Sequence, residues 1–408
     1  MTANNNEVVI VGGGPGGSFT ALHLAALRPE LAERIVLVEA KPQGRAKLCA
    51  GGVSGRVLKG AARDLGIDLA SLPGKDSEGL VIKFGERTAV SDRHQVARVI
   101  RREVLDSHLL DCVREKGVTV VTGTPVTNVT RVPGGICAHT GNGNYTGRVM
   151  VGADGMHGVT KKTLGVCSGT HKEYLYMVDL PGFEVDSMLM LDFSPTLAGV
   201  PGYMWVFPEE GGANAGITGG APRNMAHVKE EFQRLLEKNI GQRLDERKVK
   251  FKVYPERCFS FSTPSYTERV VYVGDKLGVA PITGEGIGIC LSSGKAAAHE
   301  ILRALDTGDY SFKRYPRRLL QADFVPTWAM ERLLYRFKRP GLFHLFMLFV
   351  TEENRPRGEN FMDAFCEVFS GDISSWSPAA WWQLRKLLPS RRLMSEELNK
   401  MSDKLPWR

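Results

Sequence analysis

The sequence has no uninterrupted apolar run of about 18 residues or more, the length that marks a membrane-spanning helix. The nearest approach is PGLFHLFMLFV at residues 340–350, which is too short. The first residues, MTANNNEVVIVGGG, also lack the basic region and the small-residue cleavage site of a secretory signal peptide. We therefore expect a cytoplasmic protein with no membrane-spanning helix.

Cysteine is sparse, and its spacing forms no recognised motif. The seven cysteines are an odd number, and none forms a CxxC or CxxxC pair or a zinc-binding spacing with histidine. This pattern argues against a disulfide framework and against a structural metal site. We therefore expect a reducing compartment and assign no metal ligand.

The chain is long and carries an excess of positive charge. Its 408 residues are more than one hydrophobic core usually supports, so two or three lobes are expected. The formal net charge is +8, and residues 310–350 hold eight basic side chains against two acidic ones. Because Trp, Phe and Leu are interleaved with these charges, the segment favours peripheral contact with an anionic membrane surface or an acidic partner. A solvated helical face beside a buried apolar face is the alternative, and no motif indicates nucleic acid.

The N-terminal region has the pattern of a βαβ unit. A strand at residues 7–12 leads through GGGPGG into a helix, and a second strand, RIVLVEA, follows at residues 34–40. Gly12, Gly14 and Gly17 stand in GxGxxG register, with Gly16 in the same loop, and Glu39 lies 22 residues after Gly17. Glycine permits a tight turn against a pyrophosphate, and the terminal acid can bond a ribose. The pattern predicts a dinucleotide site rather than a purely structural turn.

Two later stretches identify the dinucleotide by resemblance. VMVGADGMHGVTKKTLG at residues 149–165 and VYVGDKLGVAPITGEGIGICLSSG at residues 271–294 resemble the distal signatures of FAD-dependent oxidoreductases built like aromatic hydroxylases. The resemblance implies that Asp275 bonds the ribityl chain and that PITGEGI runs along the isoalloxazine ring, with a helix N-terminus near its N1–C2=O edge. It implies FAD contacts for Asp154, Gly155, Gly284, Gly286 and Ile287. A strand followed by a glycine loop is the alternative.

A third stretch, RREVLDSHLLDCV, resembles the helix of this family that carries an arginine and an aspartate. Arg102, Asp106 and Leu109 match, whereas Leu105 replaces a phenylalanine. The resemblance assigns Arg102 to the phosphate and ribityl region of FAD, and a solvated surface arginine is the alternative. Val126, in GTPVTNV, is implied as a backbone contact on the adenine side.

YMWVFP at residues 203–208 resembles the YxWxFP motif of geranylgeranyl reductases, which walls an apolar tunnel over the flavin in that family. Tyr203, Trp205 and Phe207 alternate along a predicted strand and so share one face. We predict that they and Pro208 contact an apolar substrate. Ordinary core packing between a sheet and the flavin domain is the alternative.

KLCAGG at residues 47–52 resembles the Lys-x-Cys-Gly-Gly element of the same family. The resemblance places Cys49, Ala50, Gly51 and Gly52 beside the isoalloxazine ring. Cys49 is then either a small wall residue or a proton-relay thiol, and a relay needs an unusual environment for the thiol. Cys49 and Tyr203 are the candidate catalytic residues.

Two departures from the geranylgeranyl reductase pattern bear on substrate size and selectivity. Ala50 is inserted between the cysteine and the glycine pair, and Thr218 stands where a second glycine is expected after Gly216. The identity of the substrate within the isoprenoids, and whether it is an isoprenoid at all, is therefore left open by the sequence.

The combined patterns predict an α/β protein with a discontinuous Rossmann-like FAD-binding domain, a mostly antiparallel substrate sheet and a helical C-terminal region. Residues 93–116 read as one long helix, and residues 174–262 as mostly antiparallel sheet. The predicted boundaries are 1–170 for the first FAD segment with an inserted segment at 70–95, 171–265 for the substrate sheet, 266–309 for the last FAD segment, and 310–408 for the basic helical region.

The function that these features indicate is reduction of prenyl C=C bonds by reduced FAD. Only one dinucleotide fingerprint is present, so NAD(P)H would dock transiently, or a reduced ferredoxin or quinol-linked carrier would supply electrons. A flavin monooxygenase or halogenase is a second hypothesis, although Tyr203 and Phe207 replace the first Trp and the Ile of the halogenase WxWxIP motif. A flavin electron-transfer protein at the membrane is a third.

Overall fold

A computed structural model of the protein describes residues 6–92, 94–166, 173–219, 225–241, 243–245, 251–336, 343, 346–347, 350–351 and 361–372. In chain order the β-strands are β1 (Val8–Val11), β2 (Ile35–Val38), β3 (Gly52–Ser54), β4 (Lys75–Asp76), β5 (Leu80–Phe84), β6 (Arg87–Ser91), β7 (Ala97–Val99), β8 (Thr119–Val121), β9 (Val126–Val132), β10 (Gly135–Thr140), β11 (Gly143–Gly147), β12 (Val149–Gly152), β13 (Glu173–Pro181), β14 (Leu189–Asp192), β15 (Met204–Glu209), β16 (Gly212–Gly219), β17 (Lys252–Glu256), β18 (Tyr266–Thr267) and β19 (Val270–Tyr272). The α-helices are α1 (Pro15–Leu27), α2 (Gly55–Leu65), α3 (Arg102–Glu115), α4 (Thr160–Thr163), α5 (Met225–Ile240), α6 (Ile287–Thr307), α7 (Tyr315–Leu319), α8 (Val325–Arg336) and α9 (Phe361–Ser370).

A six-stranded sheet in the order β18-β19-β12-β1-β2-β8 forms the first lobe. All its strands are parallel except β18. β1 and β2 read VVIV and IVLV, and every residue in them is buried. Continuous aliphatic strands suit a parallel sheet that is covered on both faces. Helices α1, α3 and α6 share its core, and α1 packs against α6.

A seven-stranded sheet in the order β17-β13-β16-β15-β14-β5-β6 forms the second lobe. Its pairings are antiparallel except that of β14 with β5. Along β15 the side chains alternate: Met204 and Val206 pack with Phe232 of α5, whereas Tyr203 and Trp205 belong to a separate core on the opposite face. The sheet therefore has one face covered by a helix and one face turned towards the first lobe.

The α/β fold class predicted from the sequence is confirmed, but three local predictions need correction. Residues 174–262 contain the 16-residue helix α5 in addition to strands. The segment expected as an insertion at residues 70–95 supplies β5 and β6 to the seven-stranded sheet. The long helix expected over residues 93–116 begins only at Arg102, since residues 97–99 form β7, which pairs with β3 and β4.

The C-terminal region is helical where the structure describes it. Helices α7 and α8 come after α6 in the chain, and α9 packs against α2 and β6. Among the described residues, no helix is long and apolar enough to cross a membrane. Lys338 and Arg339 of the basic segment, and residues 373–408 of the predicted helical region, lie outside the described residues.

Gly216 of β16 is required by its neighbour on β15. A Cβ atom at this position would overlap the indole ring of Trp205 and the carbonyl oxygen of Tyr176. We expect Gly216→Ala to lower the free energy of unfolding by about 1–3 kcal/mol, the usual cost of overpacking. Denaturant unfolding measures this loss. Gly141→Ala is the matched control, because its Cβ would meet open space, and a loss of equal size in that variant would contradict the packing argument.

Candidate functional site

A cavity of about 500 Å³ lies between the two large sheets. One end is bordered by the glycine loop after β1 and by the end of β2, and the other end is bordered by apolar side chains of the seven-stranded sheet and of α9. The predicted cofactor residues that line it are Gly12, Gly14, Gly16, Glu39, Cys49, Ala50, Gly52, Arg102, Val126, Asp154, Gly155, Asp275, Gly284, Gly286 and Ile287. Tyr203, Trp205 and Phe207 line it as well.

Three of the predicted residues, Gly17, Gly51 and Pro208, do not line the cavity. A Cβ on Gly17 would overlap the carbonyl oxygen of Gly12, so this glycine permits helix α1 to pack against its own loop. Gly51 has a φ of +78° and packs against the Ile100 backbone. Pro208 is two residues from Val206 and shares its face of β15, away from the cavity.

The glycine loop has the shape that a pyrophosphate needs. Gly12 adopts a φ of +109°, and a Cβ there would overlap the carbonyl oxygen of Ala153 at the end of β12. Gly14 is the N-cap of α1 and makes no side-chain capping hydrogen bond, and Pro15 follows it. The N-terminus of α1 therefore faces the cavity uncapped, and its dipole and amide groups favour a phosphate there.

Glu39, at the end of β2, is held by the glycine loop. Its Oε2 accepts a hydrogen bond of 2.7 Å from the Gly13 amide, and its Oε1 accepts one of 3.0 Å from the Lys41 amide. Arg45 Nε lies 3.2 Å from Oε1. The carboxylate is thus fixed at the edge of the groove where the resemblance places the ribose of the adenosine half.

A belt of ion pairs, formed by Arg45, Lys47 and Arg102 with Asp106 and Asp275, borders the cavity. Lys47 Nζ lies 2.7 Å from Asp275 Oδ2, and Arg102 donates two hydrogen bonds, of 2.8 and 3.0 Å, to Asp106. Arg45 Nη2 also reaches Asp106 at 3.2 Å. Burial alone would raise the pKa of Asp275, but Lys47 and then Arg102 outweigh it and hold that pKa below its ordinary value.

The ion-pair belt excludes the alternative that Arg102 is a solvated surface residue. It also contains Arg45 and Lys47, which the sequence analysis did not assign to the site. Arg102 is only 5% exposed, so it is not a solvated surface arginine. The roles of Arg45 and Lys47 were missed, although both follow β2 directly at the point where the chain crosses the cavity. The feature of the sequence that could have identified them is their position in the loop that follows β2 and Glu39.

Asp154 lines the cavity, but its carboxylate turns towards its own loop. It accepts hydrogen bonds from the Thr160 amide at 2.8 Å and the Thr160 hydroxyl at 2.6 Å, and Lys276 Nζ lies 3.1 Å away. These contacts hold the start of α4 next to the loop after β12. The contribution of Asp154 is therefore to hold this loop, and its own backbone and that of Gly155 border the groove.

The loop before α6 is held from both lobes. Glu331 of α8 accepts hydrogen bonds from the amides of Ile282 and Thr283, at 2.9 and 3.2 Å, and from the Thr283 hydroxyl at 2.8 Å. On the other side, the Tyr203 hydroxyl donates to the Thr283 carbonyl oxygen at 2.8 Å. Gly286 is the N-cap of α6 without a side-chain cap, so a second helix N-terminus opens on the cavity.

The apolar end of the cavity is a chamber. Its walls are side chains from strands β5, β13, β14 and β15 and from helix α9, and they include Leu80, Leu175, Met177, Leu189, Leu191, Trp205, Phe207, Phe365 and Phe369. Trp205 donates its indole N–H to Asn214 Oδ1 at 2.9 Å, which leaves its ring surface for apolar contact. Such a chamber suits a molecule that offers mainly CH₂ and CH₃ surface.

The two catalytic candidates from the sequence lie in different surroundings. Burial raises the pKa of Tyr203 well above its ordinary value, and its hydroxyl is already bonded to Thr283. Tyr203 is therefore a weak acid that positions the loop before α6. Cys49 is half-buried in the wall, and its Sγ lies 3.4 Å from the Gly51 amide.

Glu256, at the end of β17, is a cavity residue that the sequence reasoning missed. Burial raises its pKa to about 8, and the negative charge of Asp275 adds to this effect. The signal was the alternation of Lys252, Tyr254 and Glu256 along one strand, because Tyr254 and Glu256 share a face. Without the pairing of β17 with β13, the sequence does not reveal that this face borders the cavity.

A groove shaped for a dinucleotide that continues into an apolar chamber fits a flavin-dependent oxidoreductase, and comparison with known proteins confirms this class. The chain belongs to the family described as "Lycopene cyclase protein", whose model matches residues 7–210. Its relatives and structural neighbours confirm the resemblance to geranylgeranyl reductases and support FAD as the cofactor.

Several curated relatives span most of the chain. A protein named digeranylgeranylglycerophospholipid reductase from Thermoplasma volcanium is 26% identical over 75% of this chain and 80% of its own length. A protein of the same name from Methanocella arvoryzae is 27% identical over 76% of this chain and 81% of its own length. An uncharacterized protein of Methanosarcina barkeri is 23% identical over 89% of this chain and 93% of its own length.

Solved structures share the fold. A geranylgeranyl bacteriochlorophyll reductase-like protein from Thermoplasma acidophilum superposes with a TM-score of 0.67 at 21% identity, over 97% of this chain and 98% of that one. A flavin-dependent brominase superposes with a TM-score of 0.69 at 16% identity, over 97% of this chain and 99% of that one. Reductases and halogenases therefore share this architecture, and the fold alone does not separate them.

The pair formed by Lys47 and Asp275 predicts a measurable effect on cofactor affinity. Lys47→Met removes the cation and keeps the length of the side chain, so Asp275 is left without its 2.7 Å partner at the edge of the groove. We expect the Kd for FAD to rise about tenfold or more, as measured by flavin fluorescence titration of deflavinated protein. Lys59→Met, on the outer side of α2, should leave the Kd unchanged. Equal affinities in wild type and Lys47→Met would contradict this role.

Proposed function

We propose that the protein is an FAD-dependent reductase that saturates C=C bonds of a prenyl lipid of the geranylgeranyl type. The observation that carries this proposal is the continuity of the cavity, because the dinucleotide groove opens directly into a chamber walled by apolar side chains. The curated relatives named digeranylgeranylglycerophospholipid reductase support the same substrate class.

The residues at the groove fit FAD. The uncapped N-terminus of α1 and the glycine loop would take the pyrophosphate, Glu39 the adenosine ribose, and the ion-pair belt of Arg45, Lys47 and Arg102 the phosphate and ribityl region. When bound and reduced, FAD supplies a hydride to an acceptor in the chamber. The uncapped N-terminus of α6 would favour negative charge on the reduced ring.

The chamber binds and orients the lipid. Each Å² of isoprenoid surface removed from water contributes about 25 cal/mol, so a long chain can be held without polar contacts. Exclusion of water also protects the reduced cofactor from side reactions. The Tyr203 hydroxyl donates a hydrogen bond to the Thr283 carbonyl oxygen, and the Thr283 amide donates one to Glu331. These two bonds fix the backbone of Thr283 between chamber and groove, so the position of the substrate relative to the cofactor is held constant.

The proposed electron donor is NAD(P)H or a reduced carrier such as ferredoxin. The sequence has a single dinucleotide fingerprint, at the glycine loop, so NAD(P)H would bind only transiently. Steady-state reduction of the flavin by NADPH, NADH and reduced ferredoxin, compared at equal concentration, identifies the donor.

The central prediction concerns the product. Protein loaded with FAD and reduced by dithionite should convert a digeranylgeranyl glycerolipid into products that are heavier by two hydrogens for each double bond saturated, detected by mass spectrometry of the extracted lipid. Oxidised protein and deflavinated protein are the controls and should leave the lipid unchanged.

Two results would contradict the proposal. An unchanged prenyl lipid together with rapid electron exchange with quinones would favour an electron-transfer protein. An oxygenated flavin species that accumulates on mixing with O₂ would favour a monooxygenase or halogenase.

We also propose peripheral membrane contact through the basic C-terminal region. Lys313, Arg314 and Arg317 are exposed at the start of this region, where they can meet anionic lipid headgroups. We expect the protein to sediment with anionic liposomes at low salt, and less so at high salt because the charges are screened. Substitution of all three residues by Glu should weaken sedimentation, and zwitterionic liposomes are the control. A wild-type protein that stays in the supernatant at low salt would contradict this contact.

A further inference from the structure

Five acidic side chains border the cavity, and they differ in their partners: Glu39, Asp154, Glu256, Asp275 and Glu285. Glu39 is bonded by two backbone amides and Asp154 by Thr160 and Lys276. Asp275 pairs with Lys47, and Glu285 accepts from Ser54 at 2.7 Å and pairs with Arg56. Glu256 makes no hydrogen bond and no ion pair within the part of the chain that the structure describes.

The register of the seven-stranded sheet places Glu256 on the cavity side. β17 pairs antiparallel with β13, with Tyr254 opposite Leu175 and Glu256 opposite Glu173. Directly opposite residues share a face of the sheet, and so do residues two apart on a strand. Leu175 and Tyr254 both line the cavity, so the carboxyl group of Glu256 stands at the edge of the apolar chamber.

The charged groups around Glu256 favour its neutral form. Two carboxylates lie near it, that of Asp275 in the loop after β19 and that of Glu173 on β13, and both raise the pKa of Glu256. The positive charge of Lys47 lowers this pKa. The titratable groups of Tyr203, Tyr254 and Cys258 also interact with it. Burial, Asp275 and Glu173 raise the pKa of Glu256 to about 8 in spite of Lys47, so this carboxyl carries a proton at neutral pH.

We propose that Glu256 is the acid that delivers the proton to the substrate double bond. This inference rests on the proposed function. Saturation of one C=C bond takes up two electrons and two protons: reduced FAD would supply one proton and both electrons as a hydride to one carbon, and the O–H bond of Glu256 breaks, leaving its electron pair on the carboxylate, as a C–H bond forms at the other carbon. The carboxylate that remains takes up a proton from solvent before the next turnover.

The other polar groups of the cavity are less suited to this step. The carboxyls of Glu39, Asp154 and Glu285 are committed to amides, hydroxyls or cations, and the pKa of Asp275 is held below its ordinary value. The Tyr203 hydroxyl is engaged with Thr283. Glu256 combines a proton at neutral pH with a position beside apolar substrate-facing residues.

The first test compares Glu256→Gln with Glu210→Gln under single turnover. Glu210 is exposed in the turn between β15 and β16, so its variant removes one carboxyl from the same sheet outside the cavity. With dithionite-reduced FAD and a digeranylgeranyl lipid, Glu256→Gln should form product about 100-fold or more slowly, whereas Glu210→Gln should match wild type. FAD content and the rate of flavin reduction should be the same in all three proteins.

The pH dependence of the reaction rate tests whether Glu256 must be protonated for the reaction. Because the acid must be protonated, the wild-type rate should be constant below a pH of about 8 and fall about tenfold per pH unit above it. The residual rate of Glu256→Gln should lack this fall. A Glu256→Gln variant with the wild-type rate and the wild-type pH profile would overturn the proposal, and loss of activity in Cys49→Ala alone would transfer the role to the thiol.

A second measurement is independent of turnover. The infrared spectrum of wild type minus that of Glu256→Gln at pH 7 should show the carbonyl stretch of a protonated carboxylic acid, because carboxyls shared by both proteins, such as Glu331, cancel. This difference band should disappear as the pH is raised through about 8. Absence of the band would overturn the proposal even for an active enzyme. A wild-type protein that reduces no prenyl lipid would contradict the proposed function instead, and the infrared band would still report the protonation of Glu256.

Discussion

The hydrogen bond from the Tyr203 hydroxyl to the Thr283 carbonyl oxygen joins the two lobes beside the cavity that both residues line. Tyr203 precedes β15 of the seven-stranded sheet, and Thr283 lies in the loop that leads into α6 of the first lobe. Glu331 holds the same loop from the opposite side. A reaction between a bound dinucleotide and an apolar molecule requires their relative position to be fixed to within a fraction of an ångström. These hydrogen bonds fix the boundary between the groove and the chamber.

The cavity also separates two kinds of electrostatic environment over a short distance. In the groove, cations and carboxylates are paired with one another, and helix N-termini provide further positive potential. In the chamber, apolar side chains dominate and Glu256 stands at the edge. The same burial that is tolerated in the groove through ion pairing shifts a carboxyl without a partner towards its neutral form. Pairing, rather than burial alone, thus decides which acids of the cavity are charged.

Local sequence patterns were sufficient for the βαβ unit of the first lobe. The strand, glycine loop, helix and Glu39 follow one another within a single βαβ unit, so their arrangement depends on neighbours in the chain. Arg102 lines the cavity, but the helix that carries it was predicted to start too early. Residues 97–99 adopt an extended conformation because they pair with β3 and β4, and such pairing overrides local propensity.

The parts that could not be predicted depend on long-range pairing. Glu256 reaches the cavity through the register of β17 against β13, and β5 pairs in parallel with β14, far along the chain. The glycine-loop lobe closes over still longer separations, since β1 pairs with β12 and β12 pairs with β19. Contacts between residues so distant in sequence form slowly, since a large loop must close before they are made. Groove and chamber therefore take shape together, since neither is complete until β17 and β19, both far along the chain, have joined their sheets.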